Sequence, residues 1–188
     1  MSYLETSAAT RYPWYIRLLF WRQRRRYCRE LEPVRLWGRT PRVFLAMAAM
    51  NAALNRQSSP LAPALRSLIQ VRVSQINWCS FCVDLNASTC LERGISEAKL
   101  AALPQFAESP LFDEREKAAL HYAEAMTDSN RHSDSVLVAR LQQYFSDDAI
   151  IELTALIAYQ NLSSKFNAAL GVPAQGFCTT PPPAASRT

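Results

Sequence analysis

The segment that most constrains the fold of this chain runs from residue 147 to residue 171 and reads DDAIIELTALIAYQNLSSKFNAALG. It is the longest apolar stretch with helical character, and two aspartates occupy its first turn, where the helix dipole favours negative charge. Ser146 can cap its start, and Gly171 followed by Pro173 can end it. The segment therefore predicts one long and largely apolar α-helix.

The rest of the chain also has the composition of a helical protein. Only 4 of the 188 residues are glycine, so glycine-punctuated hairpins are scarce, and 49% are hydrophobic against 20% charged. Helix-start signals recur, among them Thr40 followed by Pro41 and the capping-box pair Asp113 and Glu116. We predict an all-α fold of about seven or eight helices. Residues 63–76, rich in Val and Ile, are compatible with a helix or with a buried strand.

An arginine-rich N-terminal segment differs from the remainder in charge. Residues 1–56 carry eleven Arg and three Glu, a net charge of +8, whereas the remaining residues carry a net −3. We predict a helical arm at 1–56 that packs on the core or on a neighbouring subunit. An all-α core is predicted at 57–178, followed by a disordered tail at 179–188 that is rich in Pro, Ala and Ser.

The arm has a helical pattern and three possible uses. Trp14, Leu18 and Trp21 fall near one stripe with arginines between them, and Pro33 ends the predicted helix. The basic residues could pair with acidic groups of a neighbouring subunit, form a solvated face, or contact nucleic acid or an anionic membrane surface. The acidic body favours the subunit interface, and so a homo-oligomer.

No stretch of the sequence predicts membrane insertion or export. No apolar run approaches the roughly 20 residues that span a bilayer. The best N-terminal candidate, WYIRLLFW, is interrupted by Arg17 and followed by RQRRR, the reverse of the charge order of a signal peptide. The five cysteines form an odd set without framework spacing. We therefore expect a cytoplasmic protein, in whose reducing compartment a close cysteine pair is reactive or metal-binding rather than a structural disulfide.

Two cysteines three positions apart are the strongest chemical signal in the chain. Cys79 and Cys82 lie in INWCSFCVDLN. If Asn77 caps the helix, both sulfurs lie on one face, and the positive helix end lowers the pKa of Cys79. The pair could be redox-active, two inert buried thiols, or part of a metal site. Zinc usually takes more ligands, and His121 and His132 lack zinc-like spacing, so we expect a redox pair without metal or cofactor.

The stretch LRSLIQVRVSQINWCSFCVDLNASTCLERGISEAKLAAL, followed by SPLFDEREKAALHYAEAMT, resembles the alkylhydroperoxidase D (AhpD)-like core of the carboxymuconolactone decarboxylase superfamily. The resemblance is strong over about residues 61–128 and is carried by the phrase VSQIN-x-C-x-x-C-V-D. It implies an all-helical fold and a homo-oligomer, usually a trimer or hexamer. In the peroxidases of the family, the two motif cysteines reduce hydroperoxides without metal or flavin, and a dithiol partner reduces them again.

The proton relay of those peroxidases is missing here. The resemblance places Ser67 at the position of a glutamate, and Phe81 and Asn86 at the positions of two histidines. Ser67 and Asn86 can hydrogen-bond but do not titrate near neutral pH. In the family the second cysteine, Cys82 here, is the one held by the relay, whereas the helix-end consideration favours Cys79. The nucleophile therefore stays open between the two.

Three other titratable residues could replace the relay if the fold brings one close, and otherwise they are solvated or structural: Asp84, His121 and Glu124. We predict a thiol-dependent oxidoreductase that acts on a hydroperoxide or a disulfide through the cysteine pair, with a dithiol as reductant. Without the relay, we expect a weak peroxidase or thiol–disulfide exchange. The alternatives are a catalytically reduced or non-catalytic oligomeric protein of this fold and, less favoured, a lyase of the carboxymuconolactone decarboxylase type.

Overall fold

The computed structural model describes residues 2–4 and 11–177, so the predicted tail at 179–188 and Cys178 lie outside the described residues. Within these residues the chain forms nine α-helices, one short 3-10 helix and no strand, which confirms the all-α prediction. The α-helices are α1 (Trp14–Tyr27), α2 (Glu32–Trp37), α3 (Pro41–Leu54), α4 (Pro63–Ile76), α5 (Ser80–Glu92), α6 (Glu97–Ala102), α7 (Glu114–Thr127), α8 (Ser135–Gln142) and α9 (Asp147–Ala169), and the 3-10 helix is Leu103–Gln105.

The helix starts that depend on local capping form as expected. Ser96 and Ser146 accept the N–H groups of residues three positions on, and Asp113 and Glu116 form the predicted capping box. Because these bonds satisfy N–H groups that the first turn leaves without partners, they fix where α6, α7 and α9 begin.

The N-terminal segment has one helix more than predicted, and Pro33 begins a helix rather than ending one. α1 ends at Tyr27, where Cys28 adopts a left-handed conformation with φ +56°. Pro33 then lies in the first turn of α2, a short helix that follows the predicted end of the N-terminal helix. The fixed φ of proline suits a first helical turn, whose N–H groups need no partner within the helix.

α4 lies at the centre of the fold and is a helix, not a strand. It packs against α5, α7 and α9, and ten of its fourteen residues are buried. The Val and Ile residues that suggested a strand are held by neighbours on most sides of the helix, because tertiary packing overrides weak local preference. Around α4 and α9, buried apolar residues of the helices from α3 to α9 pack into one cluster, which we call the core cluster.

A second buried cluster joins the N-terminal helices to the cysteine helix α5. We call it the arm cluster, and its buried members are Ile16, Phe20, Leu31, Val34, Leu36, Phe44, Cys79, Phe81, Cys82 and Val172. Among the described residues, no helix is both long and apolar enough to cross a membrane.

Candidate functional site

A tight turn between α4 and α5 sets the position of the cysteine pair. Trp78 within it adopts a left-handed conformation with φ +55°, which a bulky residue rarely does. Cys79 follows as the N-cap of α5, where its Sγ accepts the N–H of Cys82 at 3.2 Å. Both side chains are buried, with exposed fractions of 1% and 4%. The two thiols are therefore held together on the first turn of a helix and away from bulk water.

Asn77 does not cap α5, so that prediction is wrong. It is the C-cap of α4, and its side-chain amide donates to Asn161 Oδ1 at 2.8 Å and to Ser164 Oγ at 2.9 Å on α9. With Cys79 rather than Asn77 at the cap, Cys82 takes the third position of the helix. The bond from Asn77 ties the turn before the cysteines to α9.

The helix-end prediction of a lowered pKa for Cys79 is wrong. A hydrogen bond with Cys82, together with burial, raises the pKa of Cys79, and the backbone N–H bond only partly opposes this. The same hydrogen bond from the Cys79 thiol lowers the pKa of Cys82, and donors from Asn167, Ser163 and Gln160 add to it against the opposing effect of burial. Only one of two adjacent thiols can carry the charge easily, and Cys82 has more donors. Cys82 is therefore the more acidic thiol of the pair.

A polar face of α9 supplies those donors. Asn167 Nδ2 donates to Cys82 Sγ at 3.2 Å. Two turns earlier, Gln160 Nε2 donates to Ser74 Oγ on α4 at 2.9 Å, and Ser74 in turn donates to the carbonyl of Gln70. These bonds fix the side chains of α9 against α4, so that the amide of Asn167 is held in place beside the sulfur.

A cavity of about 500 Å³ opens beside Cys82. Cys79 is not among its lining residues, so Cys82 presents the sulfur to the cavity and Cys79 lies behind it. The N-terminal helices α1 to α3 form much of its wall, with Leu19, Leu31, Val34, Trp37, Phe44 and Met47. α5 and α9 supply the opposite side. The arm helices therefore enclose the space in front of the candidate thiolate.

Tyr159 on α9 also lines the cavity. Burial, with a further contribution from the charge of Cys82, raises the pKa of Tyr159 to about 12. Its hydroxyl, 3.4 Å from the carbonyl of Met47, therefore stays protonated at neutral pH. No Asp, Glu or His is among the described residues that line the cavity. Within the same part of the chain, no group of three or more His, Cys, Asp or Glu side chains could hold a metal ion.

Three proteins with similar sequence or structure place the chain among known proteins. The uncharacterized protein YnjA of Escherichia coli (strain K12) is 43% identical over 169 residues, which is 90% of this chain and 93% of YnjA. The AhpD core structure of an uncharacterized peroxidase-related protein from Ralstonia eutropha JMP134 matches with a TM-score of 0.79 at 20% identity, covering 94% of both chains. The debrominase Bmp8, solved as a cysteine-to-alanine variant with 2,3,4-tribromopyrrole, matches with a TM-score of 0.78 at 20% identity, covering 94% of this chain and 95% of Bmp8. The two structural matches show the fold.

The model of the carboxymuconolactone decarboxylase family matches residues 41–125, which include α3, the cysteine turn and most of α7. The chain belongs to the carboxymuconolactone decarboxylase family. The match begins within the segment predicted to be the arm, at the first residue of α3.

Of the two polar residues at the relay positions of this family, only Asn86 lies at the cavity. It lines the cavity, and its amide is 3.4 Å from Ser74 Oγ. Ser67 is fully buried and accepts a hydrogen bond from Arg93 at 2.7 Å. Phe81 lines the cavity as an apolar wall.

The three substitutes proposed for the relay have structural partners instead. Asp84 accepts the backbone N–H groups of residues 175, 176 and 177 at 2.7 to 2.9 Å. Glu124 pairs with Arg72 at 2.8 Å and with Arg131 at 2.8 Å. His121 contacts the ring of Phe106 in the core cluster at 4.8 Å, and burial lowers its pKa. None of the three lines the cavity.

The polar face of α9, from which Asn167 contacts Cys82, was not predicted from the sequence. A signal for it existed, because Gln160, Ser163, Ser164 and Asn167 recur every three or four positions in an otherwise apolar helix. Such spacing places polar side chains on one face, and a buried polar face needs partners. One of the partners of this polar face is Cys82.

Proposed function

We propose that this protein is a thiol-dependent oxidoreductase in which Cys82 is the nucleophile and Cys79 the resolving thiol, with an organic hydroperoxide as the preferred oxidant. The observation that carries the proposal is the position of Cys82, which faces the cavity while receiving hydrogen bonds from Cys79 and Asn167. A thiolate is the reactive form of cysteine, and it has a second thiol one helical turn away.

The reaction oxidises two thiols to a disulfide and reduces one hydroperoxide to an alcohol and water. The Cys82 thiolate attacks the terminal peroxide oxygen, the O–O bond breaks, and the alkoxide that leaves takes a proton to become an alcohol. The sulfenic acid on Cys82 then condenses with the Cys79 thiol, forming the Cys79–Cys82 disulfide and releasing water. A dithiol reduces that disulfide by two exchange steps and returns both thiols.

Tyr159 is the candidate proton donor for the leaving alkoxide. Tyr159 lines the cavity, and its hydroxyl stays protonated, with its pKa raised to about 12. An alkoxide is a stronger base than this phenolate, so the transfer is favourable, and water restores the proton afterwards. Since positioned acid–base groups are worth about 10²- to 10⁴-fold, we expect turnover to be slow relative to a peroxidase with a full relay.

The volume of the cavity supports an organic substrate over hydrogen peroxide alone. The debrominase Bmp8 has the same fold and was solved with a brominated pyrrole, so the fold can hold an organic ligand of that kind.

The reducing cytoplasm is the compartment in which we place the protein, because a dithiol reductant is available there.

Cysteine variants test the proposal directly. With dithiothreitol as reductant and cumene hydroperoxide as oxidant, Cys82→Ser should lose about 100-fold or more in kcat/KM, because the nucleophile is gone. Cys79→Ser should still form a sulfenic acid on Cys82 but should not form the disulfide. Cys28→Ser, at an exposed cysteine away from the cavity, is the matched control. Dithiol-dependent turnover that survives Cys82→Ser would overturn the proposal.

Alkylation across pH tests which sulfur is the thiolate. Iodoacetamide should modify Cys82 at a rate that falls only when the pH drops through its lowered pKa, and should modify Cys79 only in alkaline solution. Peptide mass spectrometry separates the two sites. The opposite order would make Cys79 the nucleophile.

We also propose a homo-oligomer, with the outer face of α1 in the subunit interface. Trp14, Leu18 and Trp21 are exposed on that face, which is unusual for large apolar side chains so close together. Changing Trp14 and Leu18 to serine should lower the molar mass measured by light scattering, because the contact loses apolar area. An unchanged mass would place the interface elsewhere. A trimer or hexamer is the expected state, and the wild-type mass distinguishes the two.

A further inference from the structure

We propose that the cavity beside Cys82 binds a bulky, mainly apolar organic acid, with its anionic group at Arg22 and its other end between Asn167 and Cys82. The binding site stands on the cavity itself, while the chemistry at the Cys82 end rests on the proposed function.

The size and the walls of the cavity indicate the body of the ligand. A volume of about 500 Å³ is within the range of sites for small organic molecules and far more than hydrogen peroxide needs. Leu31, Trp37 and Phe44 of the N-terminal helices face Phe81 and Leu85 of α5 across it. Aliphatic and aromatic walls on both sides favour an apolar ligand, because binding removes its surface from water.

Two buried oxygens without partners indicate where the ligand donates hydrogen bonds. Gln23 Oε1 and Asn167 Oδ1 are both buried, have no hydrogen-bond partner within the protein, and belong to side chains that line the cavity. Asn167 is only 2% exposed, and its amide nitrogen is already used by Cys82. An O–H on the ligand would satisfy the remaining oxygen and place the oxygen that carries this hydrogen beside the sulfur. The terminal O–H of a hydroperoxide has this arrangement.

One charged side chain at the cavity indicates the sign of the ligand's charge. Arg22 lines the cavity and is exposed, as is Asn51, so these two residues mark the mouth. Among the described lining residues there is no carboxylate that could pair with a cation. The arm around the mouth carries a net charge of +8. A carboxylate at Arg22 is therefore favoured over a neutral or a cationic group.

Binding to an inactive protein tests the site without any turnover. The Cys79→Ser/Cys82→Ser double variant is titrated with decanoate and with 1-decanol, which share an apolar chain and differ in charge. Tryptophan fluorescence reports occupancy, because Trp37 lines the cavity and stacks on Phe166 at 3.7 Å. We expect saturable binding with decanoate about fivefold tighter than decanol, as a half-exposed charge pair allows.

Arginine variants in the same background locate the carboxylate. Arg22→Ala should remove the preference for decanoate over decanol, whereas Arg17→Ala, an exposed arginine of α1 that does not line the cavity, should keep it. No saturable binding of either compound, equal affinity for both, or the same loss in both arginine variants would each overturn the inference.

Turnover separates this inference from the proposed function. The cysteine-intact protein is assayed with linoleic acid hydroperoxide and with the neutral cumene hydroperoxide. We expect a higher kcat/KM for the acid, and a smaller ratio between the two in Arg22→Ala. Turnover of both without a preference overturns the inference and leaves the proposed function standing. Binding of decanoate without turnover of either hydroperoxide supports the inference and overturns the function.

Discussion

The two buried clusters of this molecule differ in how completely their helices are covered. The core cluster is enclosed by α3 to α9, and Leu68, Leu153 and Leu156 within it are fully buried. The arm cluster is buried on its inner side only, because α1 presents Trp14, at 76% exposure, and Leu18 on its outer side. The cysteine pair belongs to the arm cluster, and so does the wall of the cavity.

Because of this difference, we expect the core cluster to determine the stability of the fold and the arm cluster to control access to the cysteine pair. A helix that is enclosed on every side can change only by disturbing the whole fold, whereas a helix packed on one side can shift or open locally. The candidate thiolate lies where these two kinds of packing meet, with α9 of the core on one side and the N-terminal helices on the other. The following substitutions test whether the two regions are separable in this way.

The largest effect is expected in the core cluster. Leu156→Ala should lower the free energy of unfolding by about 2–5 kcal/mol, because it removes buried methyl groups and leaves a cavity that enclosed helices cannot close. Denaturant unfolding measures the loss. Leu162→Ala on the same helix, where the side chain is half exposed, should change stability by no more than about 0.5 kcal/mol. Similar losses at both positions would mean that α9 is not enclosed.

A substitution in the arm cluster should act locally. Ile16→Ala, at a fully buried residue of α1, should lower stability by about 2 kcal/mol, at the low end of such changes, because α1 can settle toward its open side. It should also raise the alkylation rate of Cys82, since the arm helices cover that sulfur. Leu45→Ala, at an exposed residue of α3 that does not line the cavity, is the control. A stability loss as large as that of Leu156→Ala, with no change in alkylation, would mean that the arm and the core open together.

The link between α5 and the segment after α9 is the next test. Asp84 is 2% exposed and accepts three backbone N–H groups from residues 175–177, whose Gln175 side chain also accepts the N–H of Glu32 in α2. Asp84→Asn should cost about 1–3 kcal/mol, because an amide group replaces one acceptor oxygen. Asp148→Asn, at an exposed position, should cost far less. Equal effects would show that this link contributes little.

Features that depend on neighbours in sequence were predictable. The capping box of α7, the caps at Ser96 and Ser146 and the length of α9 each follow from residues within one or two turns. The start of α2 at Glu32, with Pro33 in its first turn, was not, because proline fits either the end of one helix or the first turn of another. Local sequence does not distinguish these two uses without the packing of the arm.

The pair of cysteines was predictable from the motif, but their order of acidity was not. That order depends first on the hydrogen bond between the two thiols and then on donors such as Asn167, which lies 85 positions from Cys82 in the chain and meets it only when α9 packs beside α5. The N-cap of α5 is Cys79, two residues after the predicted Asn77, so Cys79 rather than Asn77 accepts the free N–H group of the first turn. Acidity is thus a property of the tertiary contact, whereas the motif reports only that two thiols are close.

The hydrogen bonds and burial of the two cysteines should make the free energy of unfolding depend on pH, with opposite signs for Cys79 and Cys82. The folded pKa of Cys82 is lowered, so its contribution is present above the pKa of an unfolded thiol, about 8.5, and is lost as the pH falls through the folded value. The folded pKa of Cys79 is raised, so its contribution is fully present below about 8.5 and declines as the pH rises further. Together they give a maximum near pH 8.5.

The smallest effect follows from that maximum. Under reducing conditions, the free energy of unfolding of the wild type, minus that of the Cys79→Ser/Cys82→Ser variant, should rise toward pH 8.5 and fall above it, by on the order of 1 kcal/mol. Denaturant titrations at intervals from pH 6 to pH 10 measure it. Subtracting the double variant removes the contribution of groups elsewhere, so the curve belongs to the pair. A difference that only falls with pH would place both thiols among inert buried groups, because burial alone raises each folded pKa. A maximum would show that the folded protein stabilises the Cys82 thiolate, chiefly through the hydrogen bond from Cys79 and further through donors such as Asn167.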